Sequence, residues 1–191
     1  GHELVNLITP AAQMFYDSRL PNRGDINLFR RLERRGEKAA ARAFEPDAGI
    51  WEFRGRKAVH THSAALCWAA CDRLAKIARA LGHGDRAEHW RAAADRIRAG
   101  ILKEAWNDKL GAFAATFGGS DPDASVLLLQ ELGLVPAADP RFLSTLDFVG
   151  RHLRQGPHLF RYRVADDFGT PDTAFTICTF WYIEALAAAG R

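Results

Sequence analysis

The chain has 191 residues, 48% of them apolar and 26% charged, with a formal net charge of +3. That balance belongs to a folded globular protein and excludes a disordered tail. Its arginines are scattered along helical faces, not gathered into the stripe that a nucleic-acid partner calls for.

The pattern along the chain is one of alternating helices with two characters. Leu4 to Phe15 reads as an apolar helix interrupted by Pro10. Asp25 to Phe44 reads as amphipathic, with Ile26, Phe29, Leu32, Gly36 and Ala40 on one face and Arg and Glu opposite. Ser63 to Leu81 is apolar nearly all round. Asp85 to Trp106 is amphipathic again, spacing Trp90, Ala94, Ile97, Ile101 and Ala105 at helical intervals. Asp123 to Leu132 is apolar, Asp139 to Leu153 is amphipathic and opened by an Asp-Pro pair suited to a cap and first turn, and Thr173 to Ala189 is apolar. A helix apolar on every face must be packed on every face, so the expected class is all-α: an inner layer of apolar helices shielded by an outer amphipathic layer, forming one domain over 1–191.

Short aromatic segments lead into the inner helices: Gly49 to Arg54, Gly111 to Phe117 and His158 to Arg163. They form a degenerate helical-hairpin repeat with a period of roughly 50–60 residues. Such arrays need capped ends. Gly1 enters an apolar pattern directly and Arg191 stops just after one, so the chain is expected to be a piece of a larger ring, incomplete at both ends. Uncovered inner-helix surface should then promote self-association or pairing with a missing barrel half. No apolar run is long enough for a bilayer and no signal peptide opens the chain. Cys67, Cys71 and Cys178 lack the paired spacing of a disulfide framework or a zinc site. The expectation is a soluble cytoplasmic protein with reduced thiols, no membrane partner, no metal and no cofactor.

The residues with chemical potential sit in the loops ahead of the inner helices, which would lie at one rim of a ring. In the loop from Pro46 to Arg56, Glu52 directly follows Trp51. A carboxyl group held against an indole is desolvated, which favours its neutral form, as a general acid requires. The competing reading is a surface Glu paired with Arg54 or Arg56. His60 and His62 stand at the mouth of an inner helix, either as ligand contacts or as hydrogen-bonded structural histidines. The loop from Phe160 to Asp172 concentrates Arg161, Tyr162, Asp166 and Asp167, the mixture of rings, acids and guanidinium that binds sugars. Asp172 reads as an N-terminal cap for the last helix. Trp68 and Trp181 read as core. Gly-rich phosphate loops, nucleophile elbows and zincin helices are missing.

The stretch from Pro46 to Arg56, continued through His60-Thr61-His62-Ser63 to Cys67-Trp68-Ala69-Ala70-Cys71-Asp72-Arg73, resembles the general-acid loop of glycoside hydrolase family 15, the glucoamylase and bacterial trehalase family. A second block resembles the same family: Phe160-Arg161-Tyr162, then Asp166 to Pro171, then Ala174 to Tyr182. The resemblance implies a partial (α/α)₆ toroid and hydrolysis of an α-glucoside or oligosaccharide with inversion. It implies Glu52 as general acid, with Trp51, Arg54, Arg161, Tyr162 and Asp166 or Asp167 holding the sugar; His62 stands beside them as a candidate sugar contact from its position alone. It also implies a second Glu acting as base after the Phe-Trp-Tyr helix, and no such motif precedes Arg191; the isolated chain is therefore expected to be inactive. The rival class is a non-catalytic helical module binding carbohydrate or protein, and a weaker rival is a lyase or epimerase on another α/α toroid.

Overall fold

A computed structural model describes residues 8–191. The chain is mostly helical and forms two compact units. One holds residues up to Glu45 together with Ser63–Ala99, and the other holds Pro46–His62 together with Gly100–Arg191.

The first unit contains α1 (Ile8–Tyr16), α2 (Ile26–Arg42), most of α3 (Thr61–Ala80) and most of α4 (Gly84–Glu104). Residues 4–7 of the first expected helix lie outside the described residues, and Pro10 falls within α1 without interrupting it. Asp25 caps α2 by accepting from Leu28 N at 2.8 Å. The buried line of α2 runs through Phe29, Leu32, Gly36 and Ala39, so Ala39 takes the place expected of Ala40. Gly36 is required by close approach: a Cβ there would run into Leu74 Cδ1 and the Trp90 ring. Trp90 is buried, and its indole donates to Glu33 Oε1 at 2.7 Å, an oxygen that also accepts from Arg86 Nε at 2.7 Å. A large charged groove on this unit, lined by Arg30, Arg31, Arg34, Glu33, Glu37 and Arg86, is thus a partly self-neutralised ion-pair surface.

The second unit carries β1 (Trp106–Asn107) paired antiparallel with β2 (Ala112–Phe113), a 3₁₀ turn at Ala124–Leu127, α5 (Leu128–Glu131) and α6 (Pro140–Leu153). After these come the hairpin of β3 (Arg154–Gln155) and β4 (His158–Leu159), and then α7 (Thr176–Ala188). Phe113, Phe142, Leu129, Leu146 and Leu159 form its core. Thr145 locks α6 onto β2: its Oγ1 accepts from Phe113 N at 3.0 Å and donates to Arg141 O at 2.7 Å.

Two expectations change here. The last helix begins at Thr176, not Thr173, with Phe175 in the cap position. Phe175 N donates to Leu159 O at 3.0 Å and Phe175 is itself extended, so the helix starts after it and Asp172 is too far upstream to cap it. Secondly, α7 is apolar all round but is not packed all round. Cys178 and Ala185 are buried, whereas Phe175, Ile177, Phe180 and Ile183 are exposed, and Trp181 is half-buried, not core. Trp68 is buried as expected.

This exposed stripe should make the chain associate as its concentration rises. Sedimentation velocity is expected to show a growing weight-average mass that Phe180→Glu and Ile183→Glu together abolish; a concentration-independent monomer would contradict it.

Candidate active site

The loop from residue 46 to residue 60 closes on itself before it meets anything else. Asp47 and Ala58 exchange backbone hydrogen bonds at 2.9 and 3.1 Å. Inside that closure, Phe53 N donates to Ala48 O at 2.9 Å and Glu52 N to Gly49 O at 3.2 Å. Gly49 has φ of 69°, and a Cβ there would sit 2.8 Å from the His60 ring, so only glycine fits this turn. Glu52 has φ of 54° and is the only non-glycine residue in the left-handed region among the described residues. For an L-residue that conformation costs on the order of 1–2 kcal/mol and is kept where surrounding contacts over-determine it.

The turn sends adjacent side chains in opposite directions. Trp51 goes inward: its Nε1 donates to Asp123 Oδ2 at 2.8 Å. Its ring lies edge-on to Tyr162 and Phe175, each at 6.0 Å, and tilted against Trp181 at 6.1 Å. Glu52 goes outward and is exposed. The expected packing of its carboxyl against the indole is therefore not what the structure holds, because the left-handed residue separates the two side chains.

Next along, Arg54 N donates to Asp167 Oδ2 at 2.9 Å, and its guanidinium reaches over Phe168 at 5.8 Å. Arg56 Nη2 donates to Ala165 O at 2.8 Å and its guanidinium covers the Phe53 ring at 4.6 Å. The competing reading, Glu52 paired with one of these arginines, finds no support in these contacts, since both are engaged with the loop at 165–168.

That second loop is built around Asp166. Its Oδ2 accepts from Tyr162 Oη at 2.6 Å and Arg161 Nη2 at 3.1 Å, and its Oδ1 from Phe168 N at 2.8 Å. These bonds, the one from Tyr162 foremost, hold the Asp166 carboxyl below its usual range. Desolvation, reinforced by Asp166, raises Tyr162 above the ordinary phenol value. The Arg161 guanidinium lies 4.9 Å over the Tyr162 ring.

Trp51, Glu52, Phe53, Arg54, Arg161, Tyr162, Asp166, Asp167 and Phe168 line one cavity of about 180 Å³. Seven of the eight residues singled out in the sequence are among them. The eighth, His62, is buried in the first turn of α3 and does not reach the cavity wall. His60 instead stacks on Phe53 at 6.1 Å. An adjoining cavity of about 460 Å³ shares Phe53 and Tyr162 with the first and is lined also by Arg56, Lys57, His60, Asp121 and Asp123. Among the described residues, no cluster of three or more His, Cys, Asp or Glu side chains is arranged to hold a metal ion. No described helix is long and apolar enough to cross a membrane. Among the described residues no cysteine forms a disulfide, and burial pushes the Cys71 and Cys178 thiols up to about 12, which removes both as nucleophiles at neutral pH.

Sequence reasoning missed Asp123, which reads there only as the head of an apolar helix. It does cap the 3₁₀ turn, accepting from Ser125 N at 2.8 Å, but its other oxygen holds Trp51. With 5% of its surface exposed, desolvation raises its carboxyl to about 6. The Asp-Pro-Asp triplet at 121–123 is the only local hint; the partner stands 72 positions away.

Residues 37–191 match the family model for glycosyl hydrolases family 15. The chain belongs to that family. It is 39% identical over 168 residues to a trehalase of Mycobacterium tuberculosis, covering 86% of this chain and 25% of the relative. It is 37% identical over 163 residues to a trehalase of Mycolicibacterium smegmatis (84% and 24%), and 34% identical over 147 residues to one of Thermoplasma volcanium (76% and 24%). Thus the chain spans about a quarter of the length of these curated relatives. Among solved structures, it superposes with a TM-score of 0.76 on a wild-type glycosidase (20% identity) and on a variant of a glycosidase in complex with glucose (21% identity). Each match covers 98% of this chain and 47% of the other. The fold is therefore that of the helical-toroid glycosidases, as expected for family 15.

The left-handed strain at Glu52 is directly measurable. Glu52→Val, β-branched and intolerant of positive φ, is expected to unfold more easily than Glu52→Gly by about 2 kcal/mol in denaturant titrations. Equal stability of the two variants would contradict the strained turn.

Proposed function

We propose that this chain supplies the general-acid side of an inverting α-glucoside hydrolase site, with Glu52 donating the proton to the departing glycosidic oxygen. The observation that carries the reading is the convergence of Glu52, Arg54, Arg161, Tyr162 and Asp166 on one small cavity. In this reading the hydrogen-bonded wall made by Arg161, Tyr162 and Asp166 is fixed in advance, so it orients sugar hydroxyls without having to reorganise. Glu52 stands at the open side, where a bound sugar would cover it and supply the desolvation that favours a protonated carboxyl.

Inversion needs a second carboxylate roughly 6.5–9.5 Å from the acid, with water between them. The nearby acids are already committed as acceptors. Asp123 serves Trp51 and Ser125, Asp166 serves Tyr162, Arg161 and Phe168, and Asp167 serves Arg54. We infer that the base comes from residues other than these. The trehalases among its relatives favour trehalose as the glucoside. Maltooligosaccharides fit the same acid chemistry.

The isolated 191-residue chain is expected to leave trehalose and maltotriose intact. In the natural polypeptide carrying these residues, Glu52→Gln should lower kcat by about 10²–10⁴-fold. Undiminished hydrolysis by that variant would overturn the assignment. Sugar binding without turnover, equally tight in wild type and Glu52→Gln, would favour a non-catalytic binding module instead.

A further inference from the structure

We propose that Asp123 is a positioning residue for Glu52: its buried carboxylate anchors the indole of Trp51 and thereby holds the adjoining left-handed turn that presents Glu52 to the cavity. The proposal rests on the reading of Glu52 as general acid.

The turn at Glu52 is held in the left-handed region. A strained residue keeps its conformation only when the chain on both sides is pinned. On the C-terminal side of Glu52 the pin is Asp167, which accepts from Arg54 N at 2.9 Å. On the N-terminal side it is Asp123, which accepts from the Trp51 indole at 2.8 Å. The rings of Tyr162, Phe175 and Trp181 surround Trp51, but apolar contact is non-directional and does not by itself set the rotation of the indole. A hydrogen bond to a fixed carboxylate does.

The carboxylate is itself fixed. Its second oxygen accepts from Ser125 N at 2.8 Å, so Asp123 is oriented by the 3₁₀ turn that it caps. Capping alone explains neither the burial nor the acid, since Ser or Asn caps a turn as well. Two N–H donors converging on one buried side chain do explain it. A carboxylate offers an acceptor to each, whereas an amide would turn its NH₂ towards one of them. Both oxygens of Asp123 are thus engaged, one by the indole and one by the 3₁₀ turn.

Burial has placed the titration of Asp123 near neutrality, at about 6. Protonation converts one of its two oxygens from acceptor to O–H, so the anchor is complete above that value and weakened below it. The charged and titratable groups around it are Asp121, His60, Lys57 and Arg56 across the adjoining cavity, Tyr162 beside Trp51, Arg161, whose carbonyl accepts from Ala124 N at 2.9 Å, and Cys178 on α7, whose thiol the Asp123 charge helps raise and the Arg161 charge lowers.

The test follows the Trp51 indole N–H by ¹⁵N–¹H NMR in this chain, with the resonance identified by its loss in Trp51→Phe. The expected result is a titration centred at about 6, accompanied by the Glu52 backbone amide and absent in Asp123→Ser. That variant retains a capping oxygen and removes the acceptor for the indole, so it separates anchoring from capping; retained far-ultraviolet circular dichroism checks that it is folded. In the natural polypeptide carrying these residues, Asp123→Ser should lower kcat on trehalose by about 10²-fold with KM changed less than about twofold. It should also remove an acid limb near 6 from the kcat profile. An indole resonance that does not titrate, or a Glu52 amide and a kcat indifferent to a folded Asp123→Ser, would overturn the proposal. Absence of hydrolysis by the wild type would sink the catalytic reading and leave the indole titration to judge the anchor separately.

Discussion

A single hydrogen bond, from the Trp51 indole to the buried Asp123 carboxylate, organises the candidate site. Burying a carboxylate is costly unless every acceptor is used, and here both oxygens are used. The bond joins two rim loops that are far apart in sequence. It also decides which way the chain faces at the next residue: with Trp51 drawn inward and φ positive at Glu52, the acid has nowhere to point but outward. The exposure of Glu52 is therefore part of how its neighbour is buried.

The opposite wall works differently. Arg161, Tyr162 and Asp166 satisfy one another within six residues of chain, and Arg54 and Arg56 tie the two loops together through Asp167 and Ala165. Such mutual satisfaction rigidifies polar groups. Above this wall Phe168 is 85% exposed, and α7 displays Phe175, Ile177, Phe180 and Ile183. Of these, Phe168 lines the cavity that Glu52 also lines.

Helix type and order were readable from periodicity because the buried lines repeat at helical spacing: Phe29, Leu32 and Gly36 on α2, and Trp90, Ala94, Ile97 and Ile101 on α4. Boundaries failed where tertiary bonds override local preference. Phe175 pairs with Leu159 and delays α7, and Asp172 loses the capping role its type suggests. The loop residues Trp51, Glu52, Arg54, Arg161, Tyr162, Asp166 and Asp167 were legible through their family pattern, and they do line one cavity. The side-chain directions were not legible. Nothing in the order Trp-Glu says that the pair splits inward and outward, since this depends on a single backbone angle. Asp123 stayed hidden because its local signature is that of an ordinary cap, and its partner lies on another loop.

If Glu52 protonates the leaving oxygen of an α-glucoside in an inverting reaction, the first products released record it. The most direct measurement is the anomeric form of the glucose first released from trehalose, read by proton NMR in the natural polypeptide that carries these residues, for wild type and Glu52→Gln. The expected result is α- and β-glucose in equal amounts at the earliest times, with both signals lost in the variant. Release of α-glucose alone, or a variant that matches the wild type, would contradict it.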